Sequence, residues 1–326
     1  MQLEGVYSVL PTPFLTNGDV DEASLRRVVD LFIAAGVNGV TALGVTGEVA
    51  RLDDGERQRV LEIVVEQVNG RIGVVAGTTA EGTRTCIGHS RHARAAGATA
   101  VMVSPPRMLK LSSEAVVRHY KALASEVDIE IVVQDYPPIS GFAMEPPLLA
   151  RIAREIPRAR TIKLEDPPTP FKTSRILEAC GETPVRIFGG LGGVFLLEEL
   201  LAGATGAMTG FAFPEILVTI VSLFRAGRVD EAADYFYRAV PLMRFEFQEG
   251  IGMAIRKEVL HRRGALASAA TRAPAATLDQ PTRDALDRVM TWSEAAGLGV
   301  RDSGFGIRDS GFGKAGAGSR KLEAGI

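Results

Sequence analysis

Short runs of apolar, mostly β-branched residues alternate along this chain with longer segments whose apolar positions recur every three to four residues. Such pairs of segments, each roughly 25 to 30 residues long, follow one another from about residue 6 to residue 225. The short runs mostly do not alternate between apolar and polar residues, which is typical of parallel strands covered on both faces. The alternation therefore predicts a series of βα units.

Both kinds of element end at glycine, proline or polar residues, which set their approximate bounds. The predicted strands are residues 6–10, 39–43, 72–76, 100–104, 130–134, 161–163, 185–188 and 206–209. The predicted helices that follow them are residues 21–35, 53–68, 81–96, 113–125, 145–155, 172–179, 194–201 and 214–225. We expect Asp53 or Asp54 to cap the second helix, and Ser112 or Ser113 to cap the fourth.

Eight βα repeats are the number that closes a (β/α)8 TIM barrel, and this α/β architecture is the fold we expect. An open, doubly wound sheet is the alternative. That fold would place a phosphate-binding glycine motif in the first βα turn. The first turn here reads ProThrProPhe at residues 11–14, which cannot serve that purpose.

The chain divides into three predicted segments. The barrel takes residues 1–227, and residues 228–298 form a C-terminal helical extension packed on it, with helices near 229–247, 250–263 and 282–296. Residues 299–326 contain ArgAspSerGlyPheGly twice and are rich in glycine, serine and charge. Such a segment cannot bury a core, so we expect this tail to be disordered and dispensable for activity.

The overall composition favours a small-molecule substrate. The 326 residues carry a formal net charge of -2, which offers no electrostatic footprint for nucleic acid or a membrane surface. The chain has no apolar run near the ~20 residues of a membrane span and no N-terminal signal-peptide pattern. Its two cysteines and four histidines show no metal-ligand spacing. We expect a cytoplasmic protein without a metal site.

A lysine stands in the sixth predicted strand, where lysine is unusual. Lys163 lies in ArgThrIleLysLeuGluAsp, with Glu165 and Asp166 just beyond it. Burial disfavours a charged amine and lowers the pKa of a lysine, and a neutral amine can form a Schiff base with a ketone. We therefore predict that Lys163 is a covalent catalyst. The structural alternative is a strand-end lysine that only pairs with one of the two carboxylates.

Glycine-rich turns follow two of the other strands at the end of the barrel where active sites lie. They read GlyValThrGlyGlu at residues 44–48 and GlyGlyLeuGlyGly at residues 189–193. Such turns can bring backbone N–H groups to a carboxylate or phosphate, and Thr46 adds a hydroxyl. Gly189 is accordingly a candidate for substrate contact, although each turn could also be an ordinary βα connection.

The GlyValThrGlyGlu loop and the IleLys pair of the sixth strand together resemble the dihydrodipicolinate synthase and N-acetylneuraminate lyase superfamily. The resemblance extends over about residues 3–296. It implies a class I lyase that binds a 2-keto acid covalently through Lys163 and uses neither metal nor cofactor. It also implies that Thr46, beside Val45 and Gly47, holds the keto-acid carboxylate.

Further expectations come from the same resemblance. Met208 would line the pocket beside Thr46. Members of the superfamily are commonly tetramers or dimers, so the resemblance implies a homo-oligomer.

The chain departs from the synthase pattern where that enzyme relays protons. Gln134 stands in place of a tyrosine, and a glutamine cannot exchange protons near pH 7. Arg107 stands where a second relay tyrosine is usual, and Ile139 replaces an arginine that binds the second substrate. The motifs at residues 133–141 and 203–210 are more similar to the 2-keto-3-deoxy-arabonate dehydratase branch.

The preferred hypothesis is a dehydratase or aldolase of a 2-keto-3-deoxy sugar acid. Glu165 is the first choice as general acid and base, Asp135 and Tyr136 are further candidates, and Gln134 can only position a partner by hydrogen bonding. Arg107 would hold a distal hydroxyl or carboxylate of the substrate. The alternatives are a 4-hydroxy-tetrahydrodipicolinate synthase and a non-catalytic relative that only binds a keto acid.

Overall fold

A closed barrel of eight parallel strands forms the centre of the molecule, which confirms the predicted fold class. The structure is a computed structural model that describes residues 3–300. Each strand pairs with its neighbours along the chain, and the last pairs with the first. The strands are β1 Gly5–Val9, β2 Gly39–Ala42, β3 Gly73–Gly77, β4 Ala100–Val103, β5 Glu130–Asp135, β6 Thr161–Leu164, β7 Arg186–Gly189 and β8 Gly206–Thr209.

Helices surround the barrel and continue beyond its last strand. In the described part of the chain they are α1 Glu22–Ala34, α2 Asp54–Val68, α3 Thr83–Ala96, α4 Ser113–Glu126, α5 Pro137–Ser140, α6 Pro146–Glu155, α7 Thr169–Cys180, α8 Leu196–Leu201, α9 Pro214–Arg225, α10 Val229–Glu246, α11 Gly252–Arg262 and α12 Gln280–Ala295. The short helix α5 was not predicted, because ProPro reads as a turn signal. Both prolines instead occupy its first turn, where their fixed φ is compatible with a helix.

The structure decides between the candidate caps. The Asp53 carboxylate accepts a hydrogen bond from the N–H of Glu56, whose own carboxylate accepts from the N–H of Asp53, so the pair forms a capping box on α2. On α4 the Ser112 hydroxyl oxygen accepts from the N–H of Ala115. Helix α7 begins at Thr169, earlier than the predicted residue 172, because Pro170 suits a first turn.

Two apolar layers hold the barrel together. One lies between the strands and the surrounding helices. The other fills the barrel interior and consists of Leu3, Tyr7, Val75, Ala100, Met102, Val132, Phe188 and Met208. Because the strands are covered on both faces, most of their residues are apolar, apart from polar or charged positions such as Gln134, Asp135 and Lys163.

The strand register brings the chemically interesting positions to one level of the barrel. Lys163 on β6 pairs with Gln134 on β5 and with Phe188 on β7. Ile162 and Leu164 belong to the layer beneath the helices. Since side chains alternate across a strand, Lys163 faces the barrel interior.

The helices beyond residue 228 pack against the barrel and against each other. Helix α10 contacts α9, α11 and α12. Helix α11 reaches the loop after β2, where Lys257 pairs with Glu48 and lies 4.3 Å above the Phe14 ring. The extension thus contributes a wall at the C-terminal end of the barrel.

The predicted division at residues 227 and 298 stays a prediction. Val300, the last described residue, is buried, whereas residues 301–326 of the predicted tail lie outside the described residues. None of the helices within residues 3–300 is long and apolar enough to cross a membrane.

Candidate active site

Lys163 lies at the C-terminal end of β6 and contacts a carboxylate. Its Nζ is 3.2 Å from Oε2 of Glu165, and the two side chains are 5% and 12% exposed. Two residues of separation place both side chains on the same side of the extended chain, which explains why Glu165 rather than Asp166 reaches the amine. The pair is therefore a nearly buried amine in direct contact with a potential base.

Gln134 connects this pair to the neighbouring strand. Its amide Nε2 donates to Oε2 of Glu165 at 2.8 Å, and its Oε1 accepts from the Ser104 hydroxyl at 3.0 Å. The amide is thus oriented from both ends, so it directs a donor at the carboxylate. This arrangement suits a positioning role, since a glutamine has no proton to exchange near pH 7.

A small inner cavity of about 50 Å³ opens beside Lys163. It brings together the predicted residues Val45, Thr46, Tyr136, Lys163 and Glu165. The lining residues are Val45, Thr46, Tyr136, Lys163, Glu165, Gly192, Thr209, Gly210, Phe247 and Arg256.

A larger outer cavity of about 360 Å³ adjoins the inner one at Val45, which lines both. Its walls carry hydroxyl, amide and charged groups beside apolar ones. The lining residues are Leu43, Gly44, Val45, Val49, Ala50, Arg57, Gly77, Thr79, Glu81, Met102, Ser104, Gln134 and Ile139. The two cavities together have room for a substrate with a charged, reactive end and a longer polar chain.

Ionisable groups near the lysine have shifted pKa values. Burial raises the pKa of the Tyr136 hydroxyl, and the negative charge of Glu165 acts in the same direction. Glu199 of α8 is buried, accepts a hydrogen bond from the Thr169 hydroxyl at 2.5 Å, and has a second oxygen without a hydrogen-bond partner in residues 3–300. Burial raises the pKa of Glu199 to about 7, and the charges of Glu198 and Glu165 add to this effect.

Comparison with known proteins identifies the family. The model of the dihydrodipicolinate synthetase family matches residues 2–292. This chain belongs to that family. It is 33% identical over 282 residues to L-2-keto-3-deoxyarabonate dehydratase from Azospirillum brasilense, a match that covers 86% of this chain and 91% of the relative.

Synthases of the family are about as similar to this chain as the dehydratase is. The chain is 35% identical over 251 residues to 4-hydroxy-tetrahydrodipicolinate synthase from Nitratidesulfovibrio vulgaris strain DP4, covering 76% of this chain and 85% of that one. The crystal structure of dihydrodipicolinate synthase from Rhodopseudomonas palustris superposes with a TM-score of 0.84 at 34% identity, covering 89% and 97% of the two chains. The chain is thus a lyase of the dihydrodipicolinate synthetase family.

Within this family member, the structure does not bring every predicted residue to the cavities. Asp135 faces away from Gln134 because side chains alternate along β5, and its Oδ2 lies 2.6 Å from Nζ of Lys172. Arg107 is exposed on the segment after β4 and is absent from the lining of both described cavities. The expectation that these two residues contact substrate therefore has no support from their placement.

Three other predicted residues lie outside the linings of the two cavities. Met208 lies in the barrel interior core, and its neighbours Thr209 and Gly210 line the inner cavity instead. The Gly47 carbonyl accepts a 2.6 Å hydrogen bond from the Thr12 hydroxyl, which fixes the loop after β2. Gly189 faces Glu199, since an added Cβ would stand 1.7 Å from a carboxylate oxygen.

Two lining residues come from the C-terminal extension and were not predicted. Phe247 follows α10, and Arg256 lies on α11. Arg256 opens an ArgLysGlu run that the sequence presents like the solvated face of a helix. The structure instead buries all three residues of the run. A charged run on a helix gives no signal that separates these two outcomes.

Proposed function

We propose that this family member forms a Schiff base with a 2-keto acid through Lys163 and acts as a dehydratase or aldolase of a 2-keto-3-deoxy sugar acid. The observation that carries the proposal is the 3.2 Å contact between Nζ of Lys163 and Oε2 of Glu165 beside the inner cavity. It supplies an amine nucleophile and a group that can accept its proton at one point.

The first stage is formation of the iminium. Glu165 accepts a proton from the Lys163 ammonium, and the neutral amine attacks the C2 ketone of the substrate. The resulting carbinolamine loses its C2 oxygen as water, which leaves a protonated imine between C2 and Nζ. This positive centre can accept an electron pair from C3.

The second stage is proton transfer at C3. A base removes a C3 proton, the iminium becomes an enamine, and the enamine expels the C4 hydroxyl, which leaves as water after receiving a proton. Glu165 contacts Nζ and lines the cavity, so it is the first choice to remove the C3 proton and return one to the leaving oxygen. Gln134 holds the Glu165 carboxylate in place, and Tyr136 is a second candidate donor from the cavity wall.

The choice of a sugar acid rests on the residues rather than on the names of relatives. The dehydratase and synthase relatives differ by only two points of identity, 33% against 35%. The outer cavity has hydroxyl and amide groups from Thr79, Ser104 and Gln134, which suit a hydroxylated chain. The synthase alternative lacks the tyrosine and arginine that the family resemblance associates with it, since Gln134 and Ile139 occupy those positions.

A substrate screen tests this proposal. The purified chain and a Lys163→Ala variant are incubated with 2-keto-3-deoxy sugar acids, or with pyruvate plus aspartate semialdehyde, and the products are identified by mass spectrometry. Borohydride reduction with pyruvate measures the covalent adduct in parallel. We expect dehydration or cleavage of a sugar acid by the wild-type chain, and an adduct that Lys163→Ala lacks.

The other outcomes point to the two alternatives. Full synthase turnover without sugar-acid turnover would identify a 4-hydroxy-tetrahydrodipicolinate synthase. Absence of any adduct on Lys163 would favour a non-catalytic keto-acid-binding relative.

A further inference from the structure

An arginine of the C-terminal extension places an unpaired donor in the wall of the inner cavity. Arg256 of α11 is 3% exposed and lines the cavity beside Lys163. Its Nε donates to Oε1 of Glu246 at 2.5 Å, but its Nη1 is buried without a hydrogen-bond partner anywhere in residues 3–300. A buried cationic donor left unpaired is costly, so a group that occupies the cavity and accepts this hydrogen bond would be favoured.

A second unused donor lies beside it. The Thr46 hydroxyl oxygen is also buried without a hydrogen-bond partner among the described residues. A Cβ placed on Gly210 would stand 2.0 Å from Nη1 of Arg256 and 3.0 Å from Oγ1 of Thr46. The two donors therefore converge on one wall of the cavity, and they can do so because position 210 has no side chain.

The guanidinium is held in this position by the end of the barrel. Glu246 fixes Nε of Arg256 with one carboxylate oxygen and accepts the N–H of Ala212 with the other, at 3.0 Å. The planar guanidinium then has only limited freedom to turn, which keeps Nη1 beside Gly210 and Thr46, two residues that line the cavity. A fixed, charged donor of this kind is suited to a carboxylate.

We propose that Arg256 binds the C1 carboxylate of the 2-keto acid whose ketone reacts with Lys163, next to Thr46, which the family resemblance already implies as a ligand of that carboxylate. This inference rests on the proposed function and adds to it a specificity residue from outside the barrel. Val45, which precedes Thr46 in the loop after β2, also lines the cavity but offers no polar group. Arg256 therefore supplies the charge that lets a carboxylate leave water for this small cavity.

The test compares a charged ligand with a neutral analogue. Borohydride trapping on Lys163 is measured over a series of concentrations of pyruvate and of pyruvamide, which carries a neutral amide in place of the carboxylate. In Arg256→Met we expect the half-saturating pyruvate concentration to rise about 10- to 100-fold, the range of a charge-assisted hydrogen bond. The value for pyruvamide should stay close to that of the wild-type chain.

Two further variants keep the test valid if Arg256→Met folds poorly. The double variant Glu246→Gln/Arg256→Met removes both charges of the buried pair, so no carboxylate is left alone in the interior. Gly210→Ala keeps the pair but places a methyl group where Nη1 lies. Both variants should weaken the trapping of pyruvate more than that of pyruvamide. Circular dichroism verifies that each variant is folded.

The outcomes separate this inference from the proposed function. A wild-type chain that forms no adduct with any 2-keto acid refutes the proposed function and the inference together. A normal wild-type adduct with equal losses for pyruvate and pyruvamide, or with no loss, refutes the role of Arg256 alone. Partial recovery of pyruvate selectivity in Arg256→Lys would support the requirement for a positive charge.

Discussion

At the residue scale, the candidate chemistry depends on one carboxylate with two partners. Oε2 of Glu165 contacts both the Lys163 amine and the Gln134 amide. The next residue, Asp166, instead lies 2.6 Å from Nζ of Lys172. The two neighbouring carboxylates therefore offer a matched comparison between a residue beside the amine and one in an ion pair elsewhere.

Glu165→Gln should slow proton transfer without preventing covalent binding. Exchange of the pyruvate C3 protons with deuterium, followed by NMR, reports enamine formation directly. We expect a loss of about 10²- to 10⁴-fold, typical of removing a general base. Borohydride should still trap the Lys163 adduct, but more slowly, because the amine has also lost the carboxylate that accepts its proton. Asp166→Asn is the control and should exchange like the wild-type chain. Normal exchange in Glu165→Gln would exclude it as the base.

Glu199 is a second carboxyl whose burial has a measurable consequence. Its pKa is raised from 4.5 to about 7 in the folded chain. Between these values the folded state binds a proton that the unfolded state has lost. The contribution of Glu199 to stability is therefore fully present below about pH 4.5 and is lost as the pH rises through about 7.

Glu199→Gln should stabilise the protein at alkaline pH relative to the wild-type chain. The amide keeps an acceptor for the Thr169 hydroxyl but carries no charge to bury. The difference in unfolding free energy should grow between about pH 5 and pH 8, by at most about 3 kcal/mol. Urea unfolding at several pH values measures it. A difference in unfolding free energy that stays constant across this pH range would contradict the raised pKa of Glu199.

At the scale of elements, α11 and the loop after β2 form one unit. Lys257 pairs with Glu48, and both side chains are fully buried. Glu48 also accepts the backbone N–H of Arg272 at 3.2 Å. The loop that presents Thr46 to the inner cavity is thus fixed from the C-terminal extension, next to Arg256 on the same helix.

Breaking this pair should be more damaging than removing it. Lys257→Met leaves the buried Glu48 carboxylate with Arg51, at 3.2 Å, as its remaining cationic partner. Loss of one partner of a buried ion pair typically costs about 3–5 kcal/mol of unfolding free energy. The double variant Glu48→Gln/Lys257→Met removes both charges and should recover much of that loss. Denaturant unfolding of Lys257→Met, Glu48→Gln and the double variant gives the coupling free energy between the two residues. Additive losses would mean that the pair does not link the two elements.

At the scale of the whole molecule, apolar side chains are exposed after β4, at the end of the barrel that carries the cavities. Leu109 is 99% exposed and Met108 is 56% exposed. Ile139, after β5, is 39% exposed. Neighbouring exposed apolar residues are typical of an interaction surface, in line with the expected homo-oligomer.

Replacement of Leu109 should weaken self-association. We expect the wild-type chain to sediment as a dimer or tetramer, and Leu109→Gln to shift the distribution toward smaller species because it removes an apolar contact. Lys110→Gln changes the adjacent position, which is also exposed, and should leave the distribution unchanged. Sedimentation velocity over a range of concentrations measures both. A monomeric wild-type chain would contradict this prediction.

The sequence predicts the eight βα units, the barrel and the position of Lys163 on β6. Local information suffices for these features, because periodicity sets the element type and a strand-end lysine stands out against apolar neighbours. Even so, the prolines of α5 suggest a turn. The sequence also offers two candidate caps each for α2 and α4, and the hydrogen bonds of the folded chain select Asp53 and Ser112.

Which polar residues share the site depends on tertiary packing. Strand register and alternation turn Gln134 toward Glu165 and Asp135 toward Lys172. Packing of α11 against the barrel carries Arg256 to the cavity from a position more than ninety residues beyond Lys163. Contacts between residues so far apart depend on how whole elements pack, and the pattern along the chain does not encode that packing locally.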